Sequence, residues 1–442
     1  MSSGRCLRGM ERMRSDRVGV RGCRPAVTTN YSIDEVFRTE WSRVVAVLVR
    51  DFGDLELAED CAQDAFMKAS ERWGSGEAVP DRPGAWLTTT ARRKAIDVIR
   101  RSSSYDKKLV ELEVRAKRGP ERSASGELID DQLNLLLGCC HPALNLESQV
   151  ALTLRLVAGL TTQQIARGFL LEDHAMGKRI SRAKAKVRQA GIPFDPVDGE
   201  VLRDRLSAVQ HVIYLIFTEG HSSRTDAAFV RGDLCDEAAW LAELVTQLVP
   251  DVSEVHGLRG LILLTDARRS TRIDDEGLPV LLADQDRSEW NTEKIDEGLK
   301  SLATAVELGP LGAFGLQALL ASFHATATSF ASTDWSSIVR TYDQLLRLND
   351  SPVVELNRAV AVSCADGPEA GLEAMEPLRD ILDEYPYLHS ASAELLRRIG
   401  DLERSAAGYR RALACTTSAV QRQFLEHRLA SLDSITDGAE PG

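Results

Sequence analysis

Apolar residues recur at helical spacing along most of the chain. Between residues 31 and 101 they fall three or four positions apart, as at Trp41, Val44 and Leu48, which predicts three or four amphipathic helices. Two glycines and two prolines in residues 74–83 predict a break before a helix from Trp86 to Arg101. Residues 102–127 are rich in Ser, Lys, Arg and Glu, a composition typical of a linker.

A second helical block is predicted over residues 128–190, and residues 200–435 continue as helix after helix. The predicted fold class is therefore all-α. In the last third, Asp334, Asp366 and Asp401 lie in short turns spaced by 32 and 35 residues, close to the roughly 34-residue period of tetratricopeptide helix hairpins. This spacing predicts TPR-like repeats, while an ordinary helical bundle remains the alternative.

A length of 442 residues with 43% hydrophobic residues indicates several globular domains. Residues 1–30 are rich in arginine and poor in large apolar side chains, which predicts a disordered tail, either a solvated extension or the product of an upstream start codon. No apolar run is long enough for a membrane span and no secretion signal is evident, so we expect a cytoplasmic protein without a membrane partner. Eight cysteines without a C-x-x-C pair fit a reducing compartment.

The net charge of −12 hides an asymmetry between the two halves of the chain. Residues 1–200 contain 32 Lys and Arg against 28 Asp and Glu, a balance of +4, whereas the remainder carries −16. An acidic average alone disfavours a nucleic-acid partner. The distribution restores that possibility for the N-terminal half.

The sequence Gly-Leu-Thr-Thr-Gln-Gln-Ile-Ala at residues 159–166, followed after a short turn by residues 173–187, predicts a helix-turn-helix. In the second helix one face is apolar, with Met176, Ile180, Ala183 and Val187. The opposite face is basic, and residues 178–188 contain six basic residues and no acidic one. A solvated basic face is the alternative, but the context favours a recognition helix that reads duplex DNA.

Two further helices carry chemistry suited to binding. The helix from Trp86 to Arg101 combines an aromatic ring with several cations, which together can stack an unpaired base and hold its backbone, although Trp86 also fits a core position. Residues 58–66 form an amphipathic helix with an acidic polar face. That face is either a docking surface or the wet side of a core helix.

The order of these three motifs resembles bacterial extracytoplasmic-function sigma factors, with residues 31–101 similar to sigma region 2 and residues 128–190 similar to region 4. Residues 139–144, 169–171 and 217–221, with the long helical tail, resemble the subgroup that has a C-terminal tetratricopeptide-like domain at residues 200–435. The resemblance implies three groups of contact residues: Asp60, Gln63, Asp64 and Phe66 against the clamp helices of the polymerase β′ subunit; Trp86, Arg92, Arg93 and Arg100 at the minus-ten element; Lys178, Arg179, Arg182 and Lys186 at the minus-thirty-five element.

Two positions depart from the family pattern. Arg93 stands where many members have Asn, which puts the contact with an extruded base in question. Gly177 lies in the recognition helix at a cost of about 1 kcal/mol relative to Ala, so DNA contact is expected to order its first turn.

The resemblance implies a sigma factor that recruits core RNA polymerase to promoter DNA, has no catalytic activity or cofactor of its own, and is regulated by its C-terminal helices through internal contacts or a protein or peptide partner. A helix-turn-helix regulator that never joins polymerase is the main alternative. An enzyme built around Glu219 and His221 is a weaker one, because no nucleophile or phosphate loop accompanies them. Cys139, Cys140 and His141 are expected to be structural rather than metal ligands, since adjacent cysteines fit poorly in one tetrahedral site.

Overall fold

The computed structural model describes residues 33–75, 77–101, 125–169, 171–197, 199–221, 231–274 and 276–437. Within these ranges the chain forms eighteen α-helices. They are α1 (Ile33–Phe52), α2 (Leu55–Gly74), α3 (Pro83–Arg101), α4 (Ser125–Cys139), α5 (Leu146–Leu152), α6 (Thr162–Gly168), α7 (Asp173–Ala190), α8 (Gly199–His221), α9 (Gly232–Leu248), α10 (Ser253–Asp266), α11 (Thr292–Leu308), α12 (Ala313–Thr326), α13 (Trp335–Leu348), α14 (Pro352–Ala365), α15 (Pro368–Met375), α16 (Pro386–Arg398), α17 (Leu402–Cys415) and α18 (Ala419–Asp437).

The all-α prediction is confirmed, with small differences at helix ends. Helix α3 begins at Pro83 rather than at Trp86, because proline is well tolerated in the first turn of a helix. Helix α4 begins at Ser125, inside the predicted linker. The predicted tail at residues 1–30 and residues 102–124 lie outside the described residues.

One apolar core runs from Val36 in α1 to Ala318 in α12. Helix α1 packs against α2, α3 and α4, and also against the π-helical turn Thr153–Val157 that extends α5. Gly159 lies just beyond this turn at a positive φ of 76°, and a Cβ there would come within 2.9 Å of the Phe37 and Trp41 rings. The segments predicted as regions 2 and 4 therefore share one interior with the first helices of the C-terminal half.

The C-terminal helices pack mainly against their chain neighbours, around three smaller apolar clusters. Asp334 caps α13 by accepting a hydrogen bond from Ser337 N at 2.9 Å, and Asp401 caps α17 by accepting from Arg404 N at 3.1 Å. Asp366 instead ends α14, two residues before α15 begins. Side-chain caps of this kind satisfy backbone donors that the first turn leaves unpaired. The turns fall where the sequence predicted them, and the TPR-like character of the array stays a prediction.

Among the described residues, no helix has the length and apolarity needed to cross a lipid bilayer.

Candidate nucleic-acid and polymerase interface

The predicted recognition segment consists of α6, a short turn and α7. Thr161 Oγ1 accepts from Gln164 N at 3.1 Å while Gln164 Oε1 accepts from Thr161 N at 2.8 Å, a reciprocal capping box that defines the start of α6. Helix α7 ends at Gly191, which adopts a left-handed φ of 59°. Its predicted apolar face is confirmed, because the four residues on it are all buried: Met176, Ile180, Ala183 and Val187.

The opposite face of α7 presents cations to solvent. Lys178, Arg182 and Lys186 are exposed. Arg179 is half-buried and forms an ion pair with Glu147 at 3.0 Å. Because the Glu147 side chain is itself 66% exposed, this pair contributes little stability and is easily exchanged for a phosphate. The four predicted DNA-binding residues of α7 thus lie on one surface, and all of them except Arg179 are exposed to a ligand.

Lys184 of the same helix points the other way, into the contact between α7 and α2. Its Nζ donates to Glu59, which is only 3% exposed. Arg155 also donates to Glu59, from Nε at 2.6 Å, and Gln63 Nε2 donates to it at 2.8 Å. The buried carboxylate is therefore fully satisfied, which buried charges require.

The sequence pattern does not predict a role for Glu59, although it contains a signal. Leu55, Ala62 and Phe66 lie on the buried stripe of α2, and Glu59 falls within that stripe rather than on the polar face. A lone carboxylate in an apolar stripe calls for a buried cationic partner. Periodicity does not identify a partner 96 or 125 residues away.

The residues predicted to contact polymerase differ in exposure. Asp60 is exposed, and partial removal from water raises the pKa of its carboxyl. Asp64 is half-buried between Lys68 at 2.7 Å and Lys94 at 2.9 Å, and their hydrogen bonds lower its pKa. Among the described residues, no cation therefore lies within hydrogen-bonding distance of the Asp60 carboxylate, which is exposed to a partner.

Gln63 and Phe66 make contacts inside the protein in this conformation. Gln63 is occupied by Glu59, as described above. Phe66 is 6% exposed, and its ring lies edge-on to Phe37 with centroids 5.0 Å apart. A partner could reach the Phe66 ring only after local rearrangement, so its main visible role is core packing.

The four residues predicted at the minus-ten element also divide into two pairs. Trp86 is half-buried against Trp73, with ring centroids 5.4 Å apart, and Arg92 donates to the buried Asp51 at 2.6 Å. Arg93 and Arg100 are exposed on α3. The aromatic ring and Arg92 thus shape the surface, while Arg93 and Arg100 present cations on it.

Cys139 and Cys140 are completely buried at the end of α4. Cys140 Sγ lies 3.5 Å from Thr153 Oγ1, and burial raises the pKa of its thiol to about 12. His141 Nδ1 accepts from Ala143 N at 3.1 Å within the following turn. These contacts are those of a packed helix end.

Comparison with known proteins agrees with this layout. The family model for sigma-70 region 2 matches residues 36–105, which span α1 to α3, and the model for a family of unknown function, DUF6596, matches residues 205–306. The uncharacterized protein R00370 of Rhizobium meliloti (strain 1021) is 40% identical over 395 residues, covering 88% of this chain and 93% of that protein. The chain therefore belongs to the same family as this Rhizobium protein, and its sigma-70 region 2 domain, which is followed by a DUF6596 domain, supports its assignment as a sigma-70 family factor.

Proposed function

We propose that this protein is an RNA polymerase sigma factor that recruits core polymerase to specific promoters, begins transcription there, and is regulated by its C-terminal helical domain. The observation that carries the proposal is the presence, in one chain, of a sigma-70 region 2 domain and a helix whose exposed face is cationic. A sigma factor acts by binding, and polymerase supplies the chemistry. Its place of action is the cytoplasm, and the C-terminal repeats are expected to bind a protein or peptide partner.

Polymerase docking is assigned to the exposed side of α2. Asp60 offers a carboxylate there, and Asp64 offers a second one shared with two lysines. Clamp helices with basic side chains would compete for these oxygens, and electrostatic complementarity of this kind favours specific and rapid association.

Promoter reading is assigned to α7 and α3. Arginine presents a planar fork that matches the O6 and N7 atoms of guanine in the major groove, and Arg182 is the exposed arginine best placed for this on α7. Lys178 and Lys186 suit phosphate contacts. On α3, Arg93 and Arg100 are assigned to the backbone of the melted strand, where stacked bases and bound phosphates stabilise the open state.

The contact between α7 and α2 supports regulation by a closed conformation. Promoter elements about 25 base pairs apart lie roughly 85 Å apart along the DNA axis at 3.4 Å per base pair, so regions 2 and 4 must separate to engage both. The 24 residue steps from Arg101 to Ser125 can extend to roughly 80–86 Å, which allows such separation. The Lys184–Glu59 contact, with Arg38 of α1 paired to Glu237 of α9 at 3.5 Å, favours the closed state.

Reconstituted transcription tests the proposal. The purified chain, mixed with core polymerase and a promoter library, should initiate at specific sites. A variant with Lys178, Arg182 and Lys186 all changed to Ala should still bind core polymerase but lose promoter selectivity. A regulator that never joins polymerase would bind DNA without supporting initiation, and an enzyme would do neither. Failure to associate with core polymerase at low salt overturns the proposal.

A further inference from the structure

A long loop joins α10 to α11. Within it lie two short 3-10 turns, Arg269–Thr271 and Arg287–Glu289, and one antiparallel bridge between Ile273 and Pro279. Its ends are joined by Asn291 N, which donates to Ala267 O at 2.8 Å. Among the described residues it is the longest connection between two consecutive α-helices, and ordered loops of this length in compact domains are usually functional.

Internal hydrogen bonds hold this loop in one shape. Trp290 Nε1 donates to Thr271 Oγ1 at 3.0 Å, and Thr271 Oγ1 donates to Arg268 O at 3.1 Å. Gln285, which is buried, donates from Nε2 to Val280 O at 3.0 Å. These bonds cross the loop from one end to the other, so its side chains are presented in a fixed arrangement.

Three arginines of this loop are partly shielded from solvent. Arg268, Arg272 and Arg287 are all half-buried. Burial lowers the pKa of Arg268 and the charge of Arg287 lowers it further, while burial and the charge of Arg268 lower the pKa of Arg272 to about 10. In the part of the chain that the structure describes, neither Arg268 nor Arg287 has a carboxylate partner. Partly buried positive charges close together are costly unless an anion compensates them.

Unpaired polar atoms lie in the same place. Arg287 donates from Nη1 to Ala327 O at 2.9 Å and to His324 O, while its Nη2 is buried without a partner. His324 Nδ1 is likewise buried and unpaired, as is Nδ1 of His221, whose carbonyl accepts from Arg272. Buried polar groups are nearly always hydrogen-bonded in folded proteins, so several unpaired ones around one arginine cluster indicate a missing ligand.

A cation is the less suitable ligand. His221, Cys235 and Asp266 place potential metal-binding atoms within 4.8 Å of one another. However, Asp266 already accepts from Arg269 Nε at 2.7 Å and from Lys294 Nζ at 2.6 Å. Burial raises the pKa of the Cys235 thiol to about 12, which keeps it protonated. The surrounding charge is positive, which favours an anion.

From this arrangement we infer that Arg268, Arg287 and His324 form a binding site for a small molecule that carries a phosphate or carboxylate group. Arginine forks bind both groups through paired hydrogen bonds. Arg287 is oriented by stacking on Trp290, with its guanidinium carbon 4.7 Å from the ring centroid. Arg268 makes no side-chain hydrogen bond within the described residues and keeps partial exposure, so it is the arginine most available to a ligand. The inference does not depend on the proposed sigma-factor function.

Calorimetry and thermal melting of the full chain test this site. Inorganic phosphate and phenyl phosphate test for binding of a phosphate group, and citrate tests for binding of a carboxylate group. Chloride at equal ionic strength is the reference. At least one of these oxyanions should bind to the wild-type protein, and its identity shows whether the site prefers a phosphate or a carboxylate group. Arg268→Gln should weaken this binding at least about tenfold, because it removes a charge-assisted donor. The affinity of Arg268→Lys should lie between those of the wild type and Arg268→Gln, since lysine keeps the charge and lacks the guanidinium fork.

The controls separate site binding from general salt effects. Phosphate and citrate raise the stability of most proteins, so only the difference between wild-type and Arg268→Gln protein counts. Arg347→Gln, an exposed arginine on α13, should bind like the wild type. Without ligand, Arg268→Gln should melt at the same temperature as the wild type or higher, because it relieves repulsion from Arg287 and Arg272. Equal binding by both proteins, no oxyanion binding at all, or a variant that fails to fold would each overturn the inference.

Discussion

Lys184 and Glu59 meet across the contact between the basic helix α7 and the acidic helix α2, joining residues 125 positions apart in the sequence. The pair connects the helix predicted to read DNA with the helix predicted to dock on polymerase. If regions 2 and 4 separate on promoter DNA, as proposed, the strength of this pair sets part of the free energy that the separation costs.

Replacing Glu59 with Gln leaves Lys184 and Arg155 buried without a counter-charge. We expect it to lower the free energy of unfolding by about 3–5 kcal/mol, as is typical for breaking a buried pair from one side. Urea denaturation measures the change. Glu56→Gln is the matched control on the same helix, since Glu56 is 62% exposed and its loss should change stability by no more than about 0.5 kcal/mol. Equal effects in the two variants would contradict the network.

Lys184→Met should loosen the closed state while preserving the fold, because Arg155 still neutralises Glu59 and the methionine keeps an apolar stem. If regions 2 and 4 must separate on a promoter, this variant should initiate transcription more efficiently than the wild type. Run-off transcription at limiting protein concentration measures the difference. Unchanged or reduced initiation, with normal stability, would show that the contact does not restrain activity.

Arg182→Ala should weaken discrimination between promoter and scrambled duplex by about 1–3 kcal/mol, the range for one lost base contact. Fluorescence anisotropy with both duplexes provides the measurement. Arg188 lies on the same helix but faces Asp54 and Glu56, at 3.8 and 3.6 Å. Arg188→Ala should therefore leave discrimination intact, and a similar loss in both variants would remove the assignment of the reading face.

Variants of Asp60 and Phe66 should distinguish polymerase docking from folding, because the first is expected to change binding and the second stability. Asp60→Arg should reduce affinity for core polymerase, with the midpoint of unfolding nearly unchanged, because the residue is exposed. Phe66→Ala should lower stability by about 3–5 kcal/mol through a core cavity. Pull-downs with polymerase and urea melts give the two readouts, and Glu71→Arg controls for the charge reversal on α2. Normal polymerase binding by Asp60→Arg would refute its docking role.

The pH dependence of stability should carry the signature of His324. Burial, aided by the charges of Arg268 and Arg287, lowers its pKa to about 4 from the ordinary value of 6.5. The unfolded chain then binds a proton that the folded chain excludes, so stability is retained above pH 6.5 and is lost as pH falls toward 4. The slope from this group is at most about 1.4 kcal/mol per pH unit. His324→Gln should flatten the denaturation profile in this window, whereas Arg347→Gln should not.

Much of the local structure was predictable, because helical periodicity and capping chemistry act within a few residues. The buried stripe of α7 follows from the spacing of Met176, Ile180 and Val187, and the start of α6 follows from Thr161 and Gln164. The order of the motifs predicts sigma region 2, and the family model for that region matches residues 36–105. In each case the residues that decide the outcome are close neighbours in the chain.

What the sequence pattern missed depends on residues far apart. The burial of Phe66 removes one predicted contact residue from the surface, and the ion pair with Asp51 engages a second one, Arg92. The partners of Glu59 and the contact of Arg287 with His324 arise only when distant segments of the chain pack. Periodicity predicts which face of a helix is buried. The path of the chain between helices determines which residues pack against that face. For this reason the helices and their polar faces could be read from the chain, whereas the pairing of charges across them required the packed fold.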